Sequence, residues 1–143
     1  MDKIDDFLKR FEKVASSKDD DAFRSFMQKE IDILHKENDE WKRDYDTVLQ
    51  YQNKGKELEH TGMLEEAAEQ YEQAVLFGRG SERLRSNFYF QNIERLVIVY
   101  RKLKRYDDEI RTIRLGLSED ITDADRKKLN ARLEKSIKLK DKQ

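Results

Sequence analysis

This chain has no cysteine, no proline and only five glycines in 143 residues. Without cysteine there is neither a disulfide framework nor a thiolate metal site. Without proline, and with so little glycine, few residues break a helix, and strand-rich classes do not fit. Long hydrophobic runs are missing too. The opening stretch, MDKIDDFLKRF, carries acids among its first residues and reads as neither a signal peptide nor a membrane span. A surplus of either charge is also absent, since 30 basic and 31 acidic side chains leave a net charge of −1. That balance is far from the basic profile of a nucleic-acid-binding domain. The expectation is a soluble, cytoplasmic protein without membrane contact.

What is present is charge and helical periodicity. Charged residues make up 43% and hydrophobic ones 36%, too few for a large globular core but enough for helices that are each amphipathic. Ile4, Phe7, Leu8, Phe11 and Val14 form an i, i+3, i+4, i+7 series that predicts a helix over 2–15. A polar turn over 16–21 follows. Ala22, Phe23, Phe26, Met27, Ile31 and Leu34 continue a second stripe, which pairs with the first as a hairpin. The stripe thins through 35–40 and resumes at Trp41, Tyr45, Val48 and Leu49, so the second helix is either long or kinked near Asn38. Trp41 is expected in or beside the core, or as a partner anchor if the hairpin moves.

The most ordered pattern is Gly55, Leu58, Gly62, Leu64, Ala67, Tyr71 and Ala74. Small residues at 55 and 67 let two helices approach closely, and each has a large side chain three or four positions on. Gly62 falls where a left-handed residue ends the first helix. Residues 77–86, with Gly78 and Gly80 among three arginines, predict a turn, and Phe88, Phe90, Ile93, Leu96, Val97 and Tyr100 a new helix from about Asn87. Ile110, Ile113, Leu115 and Leu117 mark its partner. A last helix, N-capped at Thr122 or Asp123 with Asp125 supporting the cap, carries Leu129, Leu133 and Ile137.

These residues give 48–81 the look of one tetratricopeptide repeat, and 90–123 resembles a second, degenerate copy. In the second, Val97, Glu109 and Ile113 occupy the positions of Gly55, Ala67 and Tyr71, and the step from Ala67 to Glu109 is 42 residues. The usual step in such repeats is about 34. A valine opposite a glutamate packs less closely than glycine opposite alanine, so this pair is expected to splay or shift register. The resemblance implies an all-α fold, a short right-handed helical solenoid of about six to seven antiparallel helices in one domain over 1–143. Its parts are an N-terminal hairpin (1–47), the two repeats and a capping helix (123–141).

Repeats of this kind bind peptides or helices in a concave groove. The resemblance therefore implies a non-enzymatic interaction module or adaptor with no cofactor, catalytic residue or metal. Its groove candidates are Gln52, Asn53, Lys56 and His60 from the first pair, and Gln91, Arg95, Arg101 and Lys102 from the second, with Glu94 and Ile98 beside them. The lysine and asparagine arrangement that clamps a C-terminal carboxylate in one branch of the family is not reproduced. The expected partner is an acidic or amide-rich protein segment, recognised by ammonium and guanidinium groups. The same charges also read as a solvated helix face, the commoner state of charged helix surfaces and the favoured reading of these residues.

Two other readings rest on charge. Residues 1–78 hold 12 basic and 20 acidic side chains, whereas 79–143 hold 18 and 11. Such asymmetry could drive homo-oligomers head to tail, or turn the basic half into a nucleic-acid-associated regulator. Arg79, Arg83 and Arg85 before Phe88, Tyr89 and Phe90 combine residue types that hold phosphates and stack bases. For metal chemistry there are only two histidines, His35 and His60, each three residues after a carboxylate (Asp32 and Glu57). Asp32 and His35 lie off the apolar stripe, where no dry second shell would form.

Overall fold

A computed structural model describes residues 2–143. Every regular element among them is helical, and six α-helices pack with their neighbours: α1 Lys3–Ser16, α2 Asp20–His60, α3 Leu64–Gly80, α4 Phe90–Lys102, α5 Tyr106–Leu117 and α6 Asp123–Asp141. One 3₁₀ turn, Ser86–Phe88, precedes α4. The chain divides into two compact units, Met1–Glu40 and Trp41–Gln143, with the division inside α2.

In the first unit, α1 starts where the Asp2 carboxylate accepts the Asp5 N–H at 2.8 Å. Asp19 accepts from Asp21 and Ala22 at 3.1 and 3.2 Å and so starts α2. Four phenylalanines join the two helices: Phe7 to Phe26 at 5.7 Å and Phe11 to Phe23 at 6.0 Å between ring centroids. Arg10 spans them by pairing with Asp6 and Glu30. No residue of α1 is buried, and Ile4 and Leu34 remain 68% and 62% exposed. A single hairpin covers only one side of its apolar stripe. The stripe that thins after Leu34 does not break the helix, because α2 continues for 41 residues, about 60 Å at the usual rise.

The second unit holds the buried core. Gly55 on α2 meets the ring of Tyr71 on α3 so closely that a Cβ there would lie 2.7 Å from Tyr71 Cε1. Between the two helices the chain turns through Gly62 at φ +81°, with Gly62 N–H bonded to Glu59 O and Met63 N–H to Leu58 O. The next pair, α4 and α5, turns in the same way through Lys104 at φ +58°, with Lys104 N–H on Arg101 O and Arg105 N–H on Tyr100 O. Trp41, partly buried, stacks on Tyr45 and meets Phe88 edge-on at 5.1 Å. Thr122 caps α6 by accepting the Asp125 N–H at 3.1 Å.

Two sequence expectations need correcting. Gly78 and Gly80 lie not in a turn but within α3, where Gly78 faces the Tyr89 ring and a Cβ would sit 2.5 Å from Cδ1. Helix α4 consequently starts at Phe90, after the 3₁₀ turn, rather than near Asn87. The α4–α5 pair does not open up around Val97 and Glu109, both of which are fully buried. The carboxylate of Glu109 accepts from Arg101 Nε at 2.8 and 3.0 Å and from Ser136 on α6. Arg101 Nη2 also donates to Ser136 Oγ at 3.0 Å and to Arg132 O at 3.1 Å. A salt bridge with its spare hydrogen bonds satisfied thus stands where a small side chain was expected.

Candidate functional site

Helices α2 and α4 lie side by side along a polar seam. Gln52 and Asn92 are buried. Asn92 Nδ2 donates to Gln52 Oε1 at 3.1 Å and to Tyr89 O at 3.3 Å, while Gln52 Nε2 donates to Gln91 Oε1 at 3.3 Å. Asn92 Oδ1 is buried without a partner. Two turns along α2 from Gln52, Glu59 receives a fork from Arg95, whose Nε donates to Oε1 at 3.2 Å and Nη2 to Oε2, together with the Tyr71 hydroxyl at 2.9 Å. Lys102 Nζ lies 3.9 Å from the same carboxylate.

The electrostatics follow from this geometry. Burial alone would push Glu59 up, but the hydrogen bonds from Arg95 and Tyr71, with the charges of Arg95 and Lys102, together hold it below the usual carboxylate value. Tyr71, buried and donating to that carboxylate, is pushed up to about 12. The hydrogen bond to Glu59 raises Arg95 further, so the pair is charged at neutral pH.

Above this pair opens a shallow concavity of about 300 Å³ lined by Lys56, Glu59, His60, Gln91 and Arg95. Four of the eight groove residues expected from the sequence meet here. Lys56 and His60 are exposed, and neither makes a hydrogen bond or ion pair with a described residue. Asn53 and Lys102 are exposed but lie outside the lining. Gln52 turns inward to the seam, and Arg101 is engaged by Glu109 and Ser136, so neither has its polar groups free for a ligand. On the other side of α4 a second concavity, of about 360 Å³, brings Glu94 and Ile98 against Lys128 and Arg132 of α6.

Glu59 and the α6 residues were missed in the sequence. The spacing carried a partial signal for Glu59, one turn after Lys56 on the same helix face. Nothing in the lysine-rich C-terminal stretch distinguishes Lys128 or Arg132 from the other basic residues. Chemically, the site offers a free ammonium, an imidazole, an amide and a fixed ion pair, which suit hydrogen-bonded recognition of a polar chain.

The other candidate clusters are placed differently. Tyr89 and Phe90 are buried and so closed to stacking bases, and Phe88 is half-buried against Trp41 and Tyr45. Arg79 pairs with Glu119 at 2.9 Å and Arg83 with Asp44 at 3.7 Å. Asp32 and His35 are exposed, and among the described residues no group of three His, Asp or Glu side chains is placed to hold a metal ion. No helix among them is long and apolar enough to cross a membrane. No protein family, curated protein or solved structure matches the chain.

Proposed function

We propose that Trp41–Gln143 is a tetratricopeptide-like helical solenoid serving as a cytoplasmic adaptor, and that it binds an acidic or amide-bearing protein segment in the α2–α4 concavity without catalysis. The observation that carries the reading is the convergence of Lys56, His60 and Gln91 on one opening. There the ammonium of Lys56 is uncommitted and Arg95 is held by Glu59. The repeat character is supported by two turns of one design, 42 residues apart, each with a left-handed residue and the same pair of backbone hydrogen bonds. A carboxylate or amide brought to the opening meets the uncommitted donors of Lys56 and His60 beside Gln91, which Gln52 holds in the seam.

The test is a photo-crosslinking residue at Asn53, which is exposed about one helical turn before Lys56 on α2, used to capture partners of the full chain. The captured protein should be lost when Lys56 and His60 are both changed to glutamate. Arg95 is left intact because it holds Glu59. An unchanged set of crosslinked partners would remove this site from consideration.

A further inference from the structure

A third opening shares no residue with the two concavities beside α4. It is a cleft of about 530 Å³ among α3, α4 and α5, lined by Val75, Leu76, Leu96 and Leu115 with Arg79, Arg111 and Arg114 around them. Val75 and Leu96 are buried and form the floor, whereas Leu76 stands on the wall 62% exposed. One acid, Glu72, lines the cleft, and it is already engaged by the Tyr100 hydroxyl and by Arg111 at 3.4 Å. Arg111 also meets Asp108 at 3.1 Å, and Arg79 meets Glu119. Arg114 is exposed and makes no hydrogen bond or ion pair with any described residue. Of the three guanidinium groups around the apolar floor, Arg79 and Arg111 are thus paired with carboxylates, whereas the side chain of Arg114 has none, which favours a partner that brings an anionic group beside an apolar anchor.

We infer that this cleft binds an acidic peptide helix that inserts a leucine or phenylalanine side chain against Val75, Leu76 and Leu96 and sets its carboxylates against Arg114 and Arg111. Charge complementarity selects the acid, because the unpaired guanidinium of Arg114 can take a carboxylate as a fork and the exposed Arg111 stands beside it on α5. Shape selects a peptide over a small amphiphile. Leu76 stands exposed beside the floor, so a lone acyl chain would leave it partly wet, whereas a helix laid on the cleft covers it as well. This reading goes beyond the α2–α4 concavity and stands without it.

The probe is a fluorescein-labelled helical peptide with glutamates on one face and one leucine and one phenylalanine four residues apart. It is titrated into the full chain by fluorescence anisotropy at low and moderate salt. Binding should weaken as salt rises. Arg114→Glu and Leu76→Asp, both at exposed positions, should each weaken it about tenfold or more while leaving the circular dichroism spectrum unchanged. Lys56→Glu should leave it unchanged, which separates this cleft from the first. Three outcomes overturn the inference: no binding at low salt, equal binding by the Leu76→Asp chain, or equal binding of the peptide with its glutamates replaced by lysines. Displacement of a bound dye by decanoate, in the absence of any peptide binding, would assign the cleft to a small amphiphile and likewise overturn it.

Discussion

The α2–α3 and α4–α5 pairs turn through the same backbone geometry and both bury the residues at their crossing, yet they fill that crossing with opposite chemistry. In the first, glycine and alanine leave room for one large ring, and Tyr71 lies against Gly55. In the second, Val97 and Ile113 supply apolar bulk and Glu109 brings in a charge that Arg101 and Ser136 neutralise and hydrogen-bond. Close approach of backbones is thus one way to fill the crossing, and a satisfied ion pair is another. The difference shows in what each pair reaches: Tyr71 passes its hydroxyl to Glu59 at the candidate site, whereas Glu109 ties α4 and α5 to α6.

The largest test of that comparison is Arg101→Met. It leaves a fully buried carboxylate without its cation, and urea unfolding should show a loss of about 3–5 kcal/mol. Adding Glu109→Leu should restore most of it, because an apolar pair of similar volume is tolerated at such crossings. A loss from Arg101→Met within experimental error would mean that the ion pair does not do what the small residues do. Next in size is Gly55→Val, which copies the second pair's residue into the first. With Tyr71 Cε1 so close to the new Cβ, about 1–3 kcal/mol should be lost by the same measurement. Combining it with Tyr71→Ile should recover part of that loss; if the double variant is worse, the two crossings are not interchangeable.

Lys104→Gly should stabilise the chain by about 1 kcal/mol in thermal or urea unfolding, since lysine at φ +58° carries a left-handed penalty that glycine escapes. Gly62→Ala should lose a similar amount at the matching turn. The smallest effect is in acid. Because folding lowers Glu59 below its ordinary value of 4.5, its contribution is fully present above that pH and is lost as pH falls through the folded value. Glu59→Gln should flatten that part of the stability profile below pH 4.5, with little change in slope at neutral pH.

The helices were legible because their signals are local. Apolar spacing marks them, Asp2 and Thr122 cap them, and Gly62 closes the first turn. Lys104 and Arg105 interrupt the apolar spacing and so mark the second turn, but nothing in the sequence shows that Lys104 is its left-handed residue. Gly78 was misread because a glycine inside a helix looks like a helix end until the ring of Tyr89, eleven residues on, is seen to require the space. Of the candidate site, the exposed donors Lys56 and His60 could be read from helix faces. The fates of Gln52, Arg95 and Arg101 could not, because each depends on a partner on another helix: Asn92, Glu59 and Glu109. Charge counting treats every arginine alike, whereas folding engages some and leaves Arg114 open.

The amides at the α2–α4 seam have a mechanical consequence. Smooth apolar surfaces tolerate sliding, and two helices joined only by leucines could slip by one turn with little change in buried area. Gln52, Gln91 and Asn92 work as a pawl against that slip. A shift of about 5 Å along the axis would part Asn92 from Gln52, both buried, and Gln52 from Gln91, leaving two carboxamides short of partners where water does not reach. Because the same two helices carry Lys56 and Gln91, this lock also fixes the span over which a bound segment must place its acceptors.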